Sequence, residues 1–129
     1  MLLKINFSID KPIYQQVKEQ IIEGISSGKL ENGESLPSIR QLATDIGINM
    51  HTVNKVYAQL KNEGYISIHK QSGVMVNTVN LKSGKKYADE LEEKIKPIIA
   101  ESICHGLTKE RFKEITSALF QKLHPELTS

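Results

Sequence analysis

Between Leu36 and Leu60 the chain reads LPSIRQLATDIGINMHTVNKVYAQL, two apolar runs at helical spacing with only Gly47-Ile48-Asn49 between them. Ile39, Leu42, Ala43 and Ile46 form one side of the first run, and Val53, Val56, Tyr57 and Leu60 form one side of the second. Ser38 and Gln41 have the S-x-x-Q capping spacing, Gly47 stops the first helix, Asn49 caps the second, and Gly64 ends it near Glu63. Two helices joined by so tight a glycine turn are the helix-turn-helix arrangement, in which the first helix braces the second. A helix–glycine–helix spacing also suits an ordinary amphipathic surface helix, so the rest of the chain decides between the two.

Upstream, Asp10 to Gly28 reads as a helix with Asp10 as its cap and Pro12 in its first turn. Ile13, Val17, Ile21 and Ile25 recur every fourth residue as its core face. KLENGESL is a turn-rich loop. After Gly64 the period changes to two: YISIH and VMVNTV read as strands, with KQSG as the hairpin turn. LKSGKK is a polar, basic linker and the best boundary in the chain, dividing a domain of residues 1–80 from a tail of residues 81–129. In the tail, Tyr87 to Cys104 reads as a helix that Pro97 should kink or break near Glu93. HGL is a turn, Thr108 caps a last helix, and Leu107 and Phe112 have the spacing of a hydrophobic staple. The expected fold is mainly α with a small β-hairpin: a winged helix-turn-helix domain followed by a two-helix C-terminal tail.

The exposed side of the second helix of the pair carries His51, Thr52, Asn54 and Lys55 and no acid. Such an end can enter a groove about 12 Å wide, the width of the major groove of duplex DNA. The net charge of +2 argues for no partner by itself, but its distribution does. From Ile46 to Ala88 there are six lysines and one acid, Glu63, while the rest of the chain is net acidic. Lys70, Gln71, Ser72 and Gly73 at the wing tip can touch phosphates or enter a minor groove. Ser38 stands at a helix start, which attracts phosphate, and Arg40 in the same turn can grip phosphate or guanine with its fork. The alternative is a winged domain that binds another protein, with no specific DNA binding.

Other chemistries find little support. Cys104 is the only cysteine, which excludes an intrachain disulfide, fits a reducing compartment and reads as a small core residue of its helix. The N-terminus is too short for a signal peptide and no apolar run is long enough to cross a bilayer, so a cytoplasmic protein with no membrane partner is expected. His51, His69, His105 and His124 lack the pair spacing of a helical metal site. Adjacent Cys104 and His105 point in different directions and are poorly placed to share a proton. No phosphate-cradling glycine motif is present. No enzyme, cofactor or metal is expected.

The stretch PIYQQVKEQIIEGISSGKLENGESLPSIRQLATDIGINMHTVNKVYAQLKNEGYI resembles the GntR family of bacterial transcription regulators. The resemblance rests on Pro12-Ile13-Tyr14-Gln15-Gln16, Gly33 to Ala43, Thr52-Val53 and Glu63 to Ile66, and covers roughly residues 10–78. The short two-helix tail resembles the YtrA-type subfamily. The resemblance implies a repressor-type regulator whose Ser38, Arg40, Asn49, His51, Thr52, Asn54, Lys55, Lys70 and Gln71 contact a double-stranded operator. Many relatives carry Arg where this chain has Met50 and Asn54, and glycine where it has Gln71. Asn54 can pair with adenine; Met50 either packs on a thymine methyl or is a buried staple at the helix start.

The tail carries Leu91, Ile95, Ile99 and Ile103 on one helix and Phe112, Ile115, Leu119 and Leu123 on the next. Useful ligand pockets run to about 300–1,000 Å³ and need several walls, which so short a segment does not readily provide. Exposed apolar stripes instead mark an interface, so these residues are expected to make a homodimer that offers two recognition helices to a palindromic site. Room for a small-molecule effector remains, but no residue identifies one. The alternative is a tail folded back on its own winged domain.

Overall fold

Val53, Val56, Tyr57 and Leu60 have no solvent exposure in the computed structural model, which describes residues 3–125. They form the inner face of α3 (Met50–Asn62), and the first of two compact units, which divide after Leu81, is assembled on that face. Residues 1–2 and 126–129, the outer ends of the two expected domains, lie outside the described residues.

Helix α1 (Ile13–Ser26) brings Val17 and Ile21 to this core, and α2 (Ile39–Ile46) brings Leu42 and Ala43. The expected cap at Asp10 is not made: Pro12 is the N-cap and supplies no side-chain hydrogen bond. Asp10 stands two residues too early. The preceding loop is held from inside the helix, where buried Gln16 accepts from the Asn6 N–H at 2.9 Å and donates to the Asn6 and Lys11 carbonyls, each at 2.9 Å.

The sheet has three strands in the order β1-β3-β2, all antiparallel, where a two-stranded ribbon was expected. β2 is Ile66–His69 and β3 is Gly73–Val76, and β1 is the two-residue Ser35–Leu36, pairing with Met75 and Val74. A two-residue strand has no period to read. It exists because the Gly33 N–H donates to the Val76 carbonyl at 2.7 Å and the Val76 N–H to the Glu34 carbonyl at 2.8 Å. β3 also stops at Val76, short of the expected Val79: the Asn77 N–H still reaches the Tyr65 carbonyl at 3.0 Å, but the Thr78 N–H goes to Asn32 Oδ1 at 2.9 Å. Ile66, Val74 and Val76 complete the core.

Within the second unit, α4 (Gly84–Cys104) and α5 (Lys109–Leu123) are both amphipathic, and no residue of either is buried. α4 begins three residues before the expected Tyr87 because Ser83 in the supposed linker caps it, accepting from the Lys86 N–H. The helix runs without a break through Pro97. Pro97 and Glu93 are both exposed, so water can satisfy the carbonyl that loses its helical donor. Its end is a Schellman motif: Gly106, at φ +79°, donates to Ile103 and Leu107 donates to Ser102. Thr108 caps α5, accepting from the Arg111 N–H at 3.0 Å. Cys104 is exposed, not a core residue, because a helix pair without a second layer has no interior to put it in.

Gly64 ends α3 at φ +93°, and a Cβ there would lie 2.9 Å from the Asn80 carbonyl oxygen. Gly64→Ala should therefore lower the stability of the winged unit by about 1–3 kcal/mol, seen as a drop in Tm, because both the left-handed backbone and the close approach forbid a methyl. An unchanged Tm would mean that the 78–81 turn moves aside freely.

Candidate nucleic-acid interface

Each of the helices in the helix-turn-helix starts on its own side chain. Ser38 Oγ accepts from the Gln41 N–H at 3.1 Å, while the Gln41 side chain turns away to Asp45, so only half of the capping box forms. Asn49 Oδ1 accepts from the His51 N–H at 2.8 Å, which leaves the Asn49 amide NH2 as its available donor. The two helix starts are tied together through the core. The buried Tyr57 hydroxyl of α3 donates to the Pro37 carbonyl at 2.8 Å, just before Ser38. Burial pushes the Tyr57 phenol well above its ordinary pKa, so it remains a neutral donor.

With the inner face of α3 committed to the core, its other residues are presented outward. His51, Asn54 and Lys55 are exposed and Thr52 is half-buried. Ser38, Arg40 and Asn49 are exposed, as are Lys70, Gln71 and Ser72 at the hairpin turn, with Gly73 half-buried at the start of β3. Met50 is 45% exposed, which corrects the buried-staple reading. No carboxylate lies in the first turn of α2 or α3. Among the described residues Arg40 and Lys70 make no ion pair. The one acid of the basic segment, Glu63, is held by Lys18 of α1 at 2.7 Å, which offsets its charge. Lys82, by contrast, is neutralised by Glu90, whose carboxyl is drawn below its usual pKa by that lysine.

Sequence reading missed one neighbour. The Lys55 ammonium lies 3.9 Å from the centre of the Tyr14 ring, in a shallow groove of about 370 Å³ lined by Ile13, Tyr14, His51, Thr52 and Lys55. Tyr14 stands out in the sequence only as part of PIYQQ, and nothing local announces a partner on α3. Among the described residues no cluster of His, Cys, Asp or Glu could hold a metal ion, and no helix is long and apolar enough to cross a membrane.

Residues 13–76, from the start of α1 to the end of β3, match the model of the gntR family of bacterial regulatory proteins. The HTH-type transcriptional repressor YtrA of Bacillus subtilis is 31% identical over 116 residues, covering 88% of each chain. A solved structure described as a transcriptional antiterminator from Listeria monocytogenes EGD-e superposes with a TM-score of 0.85 at 32% identity, covering 95% of this chain and 92% of that one. The DNA-binding domain of AraR, solved in complex with operator ORX1, superposes with a TM-score of 0.53 at 27% identity over 59% of this chain and 98% of that one. The helix-turn-helix, its sheet and the two-helix extension are thus all matched, and the chain belongs to the gntR family of bacterial regulatory proteins, with YtrA-type members as its relatives over nearly its full length.

Proposed function

We propose that this chain is a transcriptional repressor that binds a palindromic operator as a homodimer, with α3 in the major groove and the β2–β3 hairpin as its wing. The observation that carries the reading is the acid-free outer side of α3 together with an exposed Arg40 that makes no ion pair among the described residues. His51, Thr52, Asn54 and Arg40 offer the donors and acceptors that read base edges. Ser38, the Asn49 amide, Lys55, Lys70, Gln71, Ser72 and the Gly73 backbone offer phosphate contacts that set register. Asn54 and Met50 stand where arginines are common in relatives, so adenine and thymine contacts replace guanine contacts there. A relative solved on operator DNA and a relative named as a repressor support the same reading.

The homodimer is supported by the condition of the tail. Leu91, Ile99, Ile103, Ile115 and Leu119 are exposed on α4 and α5, and Ile95, Phe112 and Leu123 are only partly covered. Ile98 of the same α4 face is 53% exposed, and Phe120, outside the expected set, is 66% exposed. Apolar side chains in this density on one helical hairpin favour burial against a second copy. An apolar cleft of about 400 Å³, lined by Ile99, Ile103, Leu107 and Phe112, belongs to that surface. It falls in the size range of ligand pockets, about 300–1,000 Å³, and is a place in the tail where a small-molecule effector would fit.

Three outcomes are expected. Arg40→Ala weakens binding to a duplex selected from random DNA by about 1–3 kcal/mol in an anisotropy titration, with a smaller loss on scrambled duplex. Equal wild-type affinity for the selected and scrambled duplexes would remove the basis for sequence reading. Raising the salt concentration weakens binding linearly on a log–log plot in a gel-shift series; salt-resistant association with another protein, and none with DNA, points to the protein-binding alternative. Leu119→Asp halves the mass in sedimentation velocity while circular dichroism stays helical; an unchanged sedimentation coefficient for a folded variant rules out the tail as the dimer contact.

A further inference from the structure

Lysine is a costly phosphate ligand to order, since its flexible stem carries about 2 kcal/mol of rotamer entropy. Most of the lysines with a defined partner here are held by carboxylates: Lys11 by Glu19 and Lys18 by Glu63, both at 2.7 Å, and Lys82 by Glu90. A carboxylate fixes the stem but cancels the charge. Lys55 is held differently. Its ammonium sits 3.9 Å from the Tyr14 ring centre, and among the described residues it makes no ion pair. An aromatic face attracts a cation through its quadrupole and leaves the net charge in place. The ring can cover only one side of an ammonium with three N–H donors, and Lys55 remains exposed. It lies one turn beyond His51 on the outward side of α3.

Resting on the DNA-binding reading above, we infer that Tyr14 of α1 is a positioning residue for operator binding: its ring holds the Lys55 ammonium, still fully charged, at the site where it meets a backbone phosphate. α1 is thereby part of the binding machinery as well as of the core. Tyr14 itself touches no phosphate in this role. Its contribution is to order Lys55 before the DNA arrives, which lowers the entropy lost on binding. The phenol oxygen is not needed, so phenylalanine should serve as well.

The test is a double-mutant cycle on the full chain, using duplexes enriched from random DNA on the wild-type protein. Lys55→Gln should weaken binding and make the log–log salt dependence shallower by about 0.9, the loss of one phosphate contact. Tyr14→Leu should weaken binding about two- to fivefold, the span of exposed cation–π pairs, with the salt slope unchanged. Tyr14→Phe should stay within about twofold of wild type, and the Tyr14→Leu, Lys55→Gln pair should bind no more weakly than Lys55→Gln alone. Additive losses, or a folded Tyr14→Leu that binds as well as or better than wild type, overturn the inference. Proton chemical shifts of the Lys55 side chain in the wild type give a check that needs no variant. The ring-current displacement should persist in the DNA complex, and its disappearance on binding would show that the ring competes with phosphate. Failure of the wild type to prefer its selected duplex removes the DNA-binding reading and this inference with it; specific binding with an additive cycle removes this inference alone.

Discussion

The structure depends on the complete burial of one side of α3. Val53, Val56, Tyr57 and Leu60 have no exposure, and α1, α2 and the sheet are packed on them. At about 25 cal/mol per Å² of apolar surface, four such side chains contribute several kcal/mol and fix the rotation of the helix about its axis. His51, Asn54 and Lys55 are outward for that reason alone, since residues three and four apart share a side and the intervening ones do not. The Tyr57 hydrogen bond to Pro37 extends the same constraint to the start of α2, so Ser38 and Arg40 are placed by a donor on the other helix.

Charge is arranged by partner choice more than by composition. The chain is nearly neutral, with 17 basic and 15 acidic side chains, so a binding surface must come from which charges are cancelled. Glu63 is cancelled from α1 by Lys18, Lys82 is cancelled by Glu90, and Arg40 and Lys70 are left unpaired among the described residues. Screening limits the reach of such a field to about 10 Å at moderate salt, so these local pairings decide what an approaching polyanion meets.

The tail follows a different logic. α4 and α5 each have a side-chain cap at the start and a Schellman turn lies between them, so their local structure is well specified. Yet neither buries a residue, and a unit this small builds little core of its own. In the proposed dimer the missing core is supplied by the second copy, which makes the stability of the tail concentration-dependent and couples it to operator binding.

Most of what was legible in the sequence was local. The caps at Ser38, Asn49 and Thr108, the glycine stops and the four-residue face of α3 were all readable, because a helix writes its period and ends into residues three or four apart. The outward placement of His51, Asn54 and Lys55 could be read on the same basis. What could not be read depends on chain segments far apart in sequence. β1 exists only through its pairing with Met75 and Val74, and β3 ends where Asn32 captures the Thr78 donor. Asp10 lost its expected capping role to Pro12, Pro97 was carried within an unbroken helix, and Cys104 was left exposed. The sequence by itself determined which helices form and which residues of α3 lie opposite its apolar face, since periodicity and capping act over one or two turns. Only the tertiary structure decided that Tyr14 meets Lys55 and that Lys18 silences Glu63, since those contacts are set by how α1 crosses α3 and no spacing along the chain encodes them.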